Sequence, residues 1–218
     1  MGKISGDLFG TYSGKLGLTV GRKVHGVCFT SKYNGNPRNP RTSLQMDNRE
    51  RFKTLAQLSS AFMGASKIGL KATAKSYGPL VSTFAAFVKA NQGAVSVMGG
   101  EAEVDYGSLL CAKGSLAPAG FGNAVFTNPQ EVSVTYATTS DMPSSDAQDK
   151  VYMFLYQPDT KQAILSASSL RTTGTLAVHV PASWVGLTVH CYGFAIGDGR
   201  DTKGLVSDSS YIGTGIIG

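Results

Sequence analysis

Only three histidines are available for acid–base or metal chemistry, namely His25, His179 and His190. A structural or catalytic metal site needs several ligands at suitable spacing, and no such ligands accompany these histidines. We expect His179 and His190 to fall on adjacent strands and to approach each other. Without further ligands, the pattern predicts packed or strand-edge histidines and no metal site.

The segment Ser13-Gly14-Lys15 shares residue types with a phosphate-binding loop. That loop requires G-x-x-x-x-G-K-[ST], in which the lysine and the following hydroxyl reach the phosphates and Mg²⁺. Here Gly10 stands one residue too close to Gly14, and Leu16 replaces the hydroxyl. The segment is therefore typical of a flexible arm.

The carboxylates also lack the spacing of a catalytic or calcium site. Asp198, Asp201 and Asp208 do not form a loop of alternating oxygen ligands. No nucleophile elbow G-x-S-x-G and no H-E-x-x-H helix occurs. We expect no catalytic residue, no metal and no cofactor, and hence a protein that is not an enzyme. A further set of three acidic residues is typical of a solvated strand edge: Glu101, Glu103 and Asp105.

Three cysteines, Cys28, Cys111 and Cys191, are far apart in the sequence and odd in number. No C-x-x-C pair occurs, so neither a disulfide framework nor a zinc site is indicated. The sequence predicts buried free thiols in a reducing compartment.

Positive charge is concentrated in the first part of the chain. Residues 1–93 contain 14 Lys and Arg against 3 Asp and Glu, a net charge of +11, whereas residues 94–218 contain 6 against 11, a net charge of −5. Such asymmetry indicates a basic end that meets nucleic acid or an acidic neighbouring subunit. Eight cations of this basic end, interleaved with aromatic residues, are the predicted binding residues for phosphates or carboxylates: Lys15, Arg22, Lys23, Lys32, Arg38, Arg41, Arg49 and Arg51.

The elements that position these side chains divide the chain into three predicted segments. Residues 1–38 are a glycine-rich β arm, residues 39–93 are helical, and residues 94–218 form a β domain. Within the arm, alternation from Lys15 to Thr30 predicts a hairpin that turns near Gly21-Arg22-Lys23. An isolated hairpin is marginally stable, so we expect it to pair with the body of the protein or with another subunit. The predicted subunit contacts are Leu16, Val20, Val24 and Phe29.

Two helices are predicted in the helical segment. The first runs from about residue 43 to 63, with Thr42 as its cap, an apolar stripe that ends at Phe62, and Gly64 as its stop. Glycines weaken the prediction of a helix over residues 65–76. The second helix is predicted to begin at Gly78-Pro79 and to end near Asn91.

Residues 94–218 change to the period of two that β-strands show. Val132, Val134 and Tyr136 alternate with polar residues, whereas the apolar run Lys150–Gln157 is typical of a central strand. We expect Trp184 to fill one end of the core. Several short strands separated by turn residues predict an antiparallel, immunoglobulin-like β-sandwich. The expected fold class is therefore α+β, mainly β.

Both ends of the chain resemble known proteins. Residues 9–27, followed by residues 39–52 with their N-P-x-T-x-x-Q and R-x-x-F patterns, resemble a glycine-rich hairpin and helix common in phage and prophage structural proteins. Val180–Gly186, Val189–Tyr192 and Ser207–Gly213 are similar to an uncharacterised family of roughly 200-residue proteins in Bacteroidota and their phages. The resemblance implies a virion or prophage-encoded structural role by analogy.

The leading hypothesis is a non-enzymatic structural subunit that self-assembles through its N-terminal arm, most simply a capsid-associated or tail protein of a phage. Its expected partners are copies of itself and other virion proteins. The alternatives are a nucleic-acid-binding protein that uses the basic arm, and a glycan-binding or adhesin module on the sandwich. We find no signal peptide and no apolar run that spans a membrane, which predicts a location in the virion, or in the host cytoplasm before assembly.

Overall fold

The computed structural model describes residues 3–5, 11–24, 26–127, 130–138 and 145–218. Across these residues the fold is mixed α/β, with four helices and mostly antiparallel strands in several sheets. The chain separates into two compact units, Met1–Gln45 and Met46–Gly218. The three-part division at residues 38 and 93 stays a prediction.

The N-terminal unit contains a four-stranded antiparallel sheet in the order β1–β2–β3–β4. The predicted turn at residues 21–23 is wrong, because β3 runs straight through it. Gly17 and Gly26 make the turns instead, with φ of +59° and +86°, values that favour glycine. Gly21 lies inside β3 because the Tyr12 ring covers it, and a Cβ there would stand 2.7 Å from Cδ2 of Tyr12. The four strands are β1 (Lys3–Ser5), β2 (Thr11–Leu16), β3 (Thr19–Val24) and β4 (Val27–Lys32).

Four helices form where two were predicted. Gly64 does not end the helical structure, because it lies inside a second helix that begins at Met63. Pro79 does not begin the last helix. Ser82 does so, because its extended backbone and its Oγ, which accepts a hydrogen bond from the backbone N–H of Ala85 at 3.2 Å, make it the N-cap. The helices are α1 (Ser43–Ala61), α2 (Met63–Gly69), α3 (Lys71–Tyr77) and α4 (Thr83–Ala90).

Three sheets belong to the second unit. The larger has the order β10–β9–β13–β14, with β11 also paired to β9; the smaller has the order β12–β8–β7; and β5 and β6 form a separate hairpin. The predicted central strand is confirmed as β9. The strands are β5 (Val95–Met98), β6 (Glu101–Val104), β7 (Val125–Thr127), β8 (Glu131–Thr135), β9 (Lys150–Gln157), β10 (Gln162–Leu165), β11 (Ser169–Leu170), β12 (Thr175–His179), β13 (Thr188–Ile196) and β14 (Ser210–Ile216).

The larger sheet is buried on both faces, which explains the continuous apolar run of β9. On one face, Met153 and Leu155 pack in a cluster with Val132 and Val134 of the smaller sheet. On the other face, β9 and β13 side chains pack against the helices in a second cluster. The predicted alternation in β8 is confirmed, and Trp184 is buried in the cluster between the two sheets, as predicted.

The prediction of three buried thiols is wrong for Cys28, which is exposed on β4, whereas Cys111 and Cys191 are buried. Every side chain of β4, including that of Cys28, is exposed. Burial raises the pKa of the Cys111 and Cys191 thiols to about 12. Only a thiolate attacks disulfide reagents at a useful rate, so the two buried thiols are inert in the folded chain.

We therefore expect an aromatic disulfide reagent at pH 8 to titrate one thiol in the native protein and three in denaturant. At a pKa of about 12, the two buried thiols carry roughly a thousandfold less thiolate than an ordinary cysteine, and solvent does not reach them. The variant Cys28→Thr is the control, and it should show no reactive thiol before unfolding. Two or more rapidly reacting thiols in the native protein would contradict the burial of Cys111 and Cys191.

Candidate assembly face and tyrosine–histidine pocket

One face of the N-terminal sheet collects apolar side chains around a single arginine. In the antiparallel register, Arg22 is directly opposite Phe29, and Val24 is opposite Val27. Residues two apart on a strand share a face, so Val20 joins them. We call this surface, formed by Val20, Arg22, Val24, Val27 and Phe29, the arm face.

The arm face is not covered within its own unit. Val24 and Phe29 are each 39% exposed and Val27 is 46% exposed. In the residues that the structure describes, the N-terminal unit has one sheet and no second layer to bury this face. A sheet needs a second layer against its apolar face for stability in water. The arm face therefore lacks the second layer that would bury it.

Leu16, the fourth predicted contact residue, lies on the opposite face of the sheet. It pairs with Thr19, two positions from Gly21 on β3, and is 47% exposed. That opposite face is partly occupied, because the Tyr12 hydroxyl donates to Oγ1 of Thr19 at 2.6 Å and its ring covers Gly21. The four predicted contacts therefore do not form one surface, although each stays a prediction as a subunit contact.

The eight predicted cations are likewise divided. Lys15 pairs with Val20 and so shares the arm face with Arg22, and its Nζ stands 3.7 Å from the centre of the Tyr33 ring. Lys23 and Lys32 point to the opposite face, since they pair with Cys28 and Thr19. The other four follow the sheet: Arg38 and Arg41 lie in irregular chain, and Arg49 and Arg51 lie in α1. No single described surface presents all eight, and their role in binding stays a prediction.

A cavity of about 440 Å³ lies in the second unit between the β5–β6 hairpin and the strands β13 and β14. We call it the Tyr-His pocket. The sequence distances between its walls are large, because a 3₁₀ turn at Tyr106–Ser108 meets strands some 85 to 105 residues later. Its chemically distinctive walls are Ser96, Glu103, Asp105, Tyr106, His190 and Tyr211.

Stacked and hydrogen-bonded rings give the Tyr-His pocket a fixed shape. The rings of Tyr106 and His190 stack with centroids 4.2 Å apart and planes inclined by 19°. Nδ1 of His190 and the Tyr211 hydroxyl share a hydrogen bond of 2.9 Å. The Tyr192 hydroxyl donates to the Tyr106 carbonyl at 2.7 Å and holds the turn against β13. Three aromatic walls are therefore held in place by the larger sheet.

The rings of this pocket are uncharged near neutral pH. Burial lowers the pKa of His190 below its usual value of 6.5, so the imidazole is mostly neutral at pH 7. Burial also raises the pKa of Tyr106 and of Tyr211, and both phenols stay protonated. Charge in the pocket is consequently supplied by its carboxylates.

Asp105 and Glu103 place negative charge at the pocket wall. The Ser108 hydroxyl donates to Asp105, and the Gly107 N–H donates to its Oδ1 at 3.0 Å. The Ser108 hydrogen bond is the main cause of the lowered pKa of Asp105, which keeps that carboxyl ionised at neutral pH. Glu103 is exposed on β6, opposite Ser96. Neutral aromatic walls beside carboxylates suit a cationic ligand better than an anionic one.

The predicted approach of His179 and His190 is wrong. His179 ends β12 in the smaller sheet, where its Nε2 lies 3.6 Å from Oε2 of Glu131, whereas His190 is in the larger sheet. The consecutive strands β12 and β13 belong to different sheets, and the sequence does not indicate this change of sheet. The third histidine, His25, lies outside the described residues. Across those residues, no group of three or more His, Cys, Asp or Glu side chains is placed to hold a metal ion.

Two of the three aspartates considered for calcium have other contacts. Oδ2 of Asp198 lies 2.7 Å from Nζ of Lys150, and Oδ1 of Asp208 accepts the N–H of Gly114 at 2.9 Å. Sequence reasoning treated Glu103 and Asp105 as a solvated edge and missed the Tyr-His pocket. A usable signal was the alternation of His190 and Tyr192, which places both side chains on one face of β13.

A comparison with protein families matches residues 11–213 to a model described as a family of unknown function, DUF6266. No curated protein matches the chain. In the described parts of the chain, no helix combines the length and the apolar character that a membrane crossing requires.

Proposed function

We propose that this chain, which belongs to the DUF6266 family of unknown function, is a non-enzymatic structural subunit that self-assembles through its N-terminal arm. The observation that carries the proposal is the arm face, whose apolar side chains are 39–46% exposed at three positions. Covering this face with a second copy completes a core that the N-terminal unit lacks.

Burial of apolar surface would supply the free energy of this self-assembly. Removing apolar surface from water contributes roughly 25 cal/mol per Å², so covering several hundred Å² supplies several kcal/mol for each arm before ordering costs. Because one subunit offers one arm and receives another, the contact is heterologous. Such contacts close into rings or continue as shells and tubes.

The distribution of charge supports a second copy as the partner of the arm. Residues 1–38 contain six Lys and Arg against one Asp, a net charge of +5, whereas residues 94–218 carry −5. Opposite potentials steer two copies toward contact of the arm with the β region of its neighbour. A nucleic-acid partner is less well supported, since Lys23 and Lys32 lie on the face opposite to Arg22.

We also propose that the two packed sheets of the second unit form an immunoglobulin-like sandwich. The order β12–β8–β7 against β10–β9–β13–β14 supports this proposal, since these seven antiparallel strands, to which the two-residue β11 is added, lie in two sheets as is typical of that architecture. Rigid sandwich domains serve as bodies from which arms or loops make contacts. A fold of this kind does not determine the function, so the proposed function depends on the arm.

A phage particle is the setting that the proposal favours. The arm-and-helix pattern of residues 9–27 and 39–52 resembles phage and prophage structural proteins, and this resemblance supports a capsid-associated or tail protein from Bacteroidota phages or prophages. Other virion proteins would then be further partners. The chain would reside in the host cytoplasm before assembly and in the virion afterwards.

The matched substitutions Phe29→Thr and Cys28→Thr test the proposal, because these neighbours occupy opposite faces of β4 and both are exposed. Threonine keeps strand propensity in both variants. We expect Phe29→Thr to raise the concentration for half-assembly at least about 30-fold, as loss of an aromatic contact worth about 2 kcal/mol implies. Cys28→Thr should stay within about twofold of wild type.

Multi-angle light scattering of the full chain at low and high salt measures this assembly. A wild-type chain that stays monomeric at every concentration would refute the proposed function. Equal assembly by the two variants would also count against it, because the arm face would then not be the contact surface. Retarded nucleic acid at low salt, without self-assembly, would favour the alternative function instead.

A further inference from the structure

Resting on the proposed function, we propose that the Tyr-His pocket is the receptor for the arm and binds the Arg22 guanidinium of a second copy. The proposal assigns a role to a cavity of about 440 Å³ and to the one arginine of the arm face.

The walls of the pocket match a planar cation. Tyr106 and Tyr211 present aromatic rings, and cations bind over such rings with an attraction that increases when water is excluded. The carboxylates of Glu103 and Asp105 supply acceptors for the N–H groups of a guanidinium. His190 does not oppose this, since burial keeps it mostly neutral.

Arg22 is the cation of the arm face that is available for such a contact. Lys15 shares that face, but its ammonium group is already over the Tyr33 ring. In the part of the chain that the structure describes, Arg22 makes no ion pair or hydrogen bond through its side chain. Its cross-strand partner Phe29 and its neighbours Val20 and Val24 on β3 are apolar, so a partner that covers them must also supply acceptors for the guanidinium.

The rim of the Tyr-His pocket offers apolar contacts to the rest of the arm face. Met98 is 79% exposed on β5, two residues after Ser96, so the two side chains share a face of the hairpin. Methionine adapts to irregular apolar partners, and Phe29 of the docking arm is such a partner. The arginine and the surrounding apolar residues would therefore bind together.

Reciprocal charge reversal tests the proposal on the full chain. We expect Arg22→Glu and Glu103→Arg each to weaken assembly by about 30-fold or more in light scattering, as mispaired charges at an interface do. An equimolar mixture of the two variants should assemble like wild type. In the mixture, the arm of each Arg22→Glu chain meets the pocket of a Glu103→Arg chain, and the remaining arms and pockets meet with their original charges. Circular dichroism of each variant controls for folding.

Each other outcome overturns the inference. The double variant, which carries Arg22→Glu and Glu103→Arg in one chain, is measured beside the mixture. Restoration by the double variant alone, and not by the mixture, would place the contact within one chain. Wild-type assembly by either single variant would exclude the pocket while leaving the proposed function intact, provided that Phe29→Thr still weakens assembly. Loss without restoration in either sample would show that Arg22 and Glu103 are not coupled. A wild-type chain that never assembles refutes the proposed function itself.

Discussion

A chain that lacks residues 2–36 is expected to be a folded monomer at every salt concentration. Both buried clusters of the described residues consist of side chains from Leu55 onward, and α1 begins at Ser43, so the deletion removes no part of either core. Assembly, in contrast, loses the whole arm face. Light scattering should give the mass of one chain at concentrations where the full chain assembles.

Trp184 reports whether the shortened chain keeps its fold. This side chain is 1% exposed, and its Nε1 donates to Oε1 of Gln162 at 3.2 Å. Its near-ultraviolet circular dichroism and blue-shifted fluorescence should be the same in the full and shortened chains. Normal assembly by the shortened chain would refute a role for the arm. Loss of the Trp184 signal would show that the arm is needed for folding of the second unit.

Local patterns were sufficient to predict the strands that have one or both faces buried in the core. In β8, Val132 and Val134 alternate with polar residues because one face is buried against the larger sheet. In β9, successive residues from Met153 to Tyr156 are apolar because helices cover one face and the smaller sheet covers the other. Burial on one face gives an alternating sequence and burial on both faces gives a continuous apolar run, so these strands were predictable.

The helices α2 and α3 were not predictable, because tertiary contacts override helix propensity there. The helix α4 was predicted except for its start, which lies at Thr83 and not at Gly78-Pro79. Gly69 is weakly helical by itself, but a Cβ at that position would stand 2.6 Å from the Cys111 carbonyl oxygen. The neighbouring Leu70 is completely buried. Close approach of residues 111–112 therefore requires a glycine at the end of α2. Its role as a packing residue is visible only once that distant segment is in place.

The two candidate surfaces also differ in how far the sequence could indicate them. Three of the four predicted contacts, Val20, Val24 and Phe29, share the arm face because a period of two is a local property. The Tyr-His pocket combines Tyr106 with His190 and Tyr211, which only the pairing of β13 with β14 and the position of the 3₁₀ turn bring together. No spacing rule covers such distances.

The substitution Phe62→Ala is expected to destabilise the second unit by roughly 3–5 kcal/mol. Phe62 has no exposed surface and connects the helices to the larger sheet. The centre of its ring lies 4.7 Å from that of Phe154, 5.1 Å from Tyr156 and 5.5 Å from both Phe87 and Tyr192. Four rings held by the sheet and by α4 cannot all collapse into the space, so a cavity remains.

Phe52→Ala, in α1 of the same unit, is the matched control. Its ring is 53% exposed and makes one edge-to-face contact with Phe84 at 6.2 Å, so its removal should cost only about 1 kcal/mol. Urea unfolding of both variants, followed by Trp184 fluorescence, measures the difference in the free energy of unfolding. For a unit of this size, Phe62→Ala should also lower the melting temperature by roughly 10 °C. Equal losses in the two variants would mean that Phe62 is not the residue that fastens the helices to the sheet.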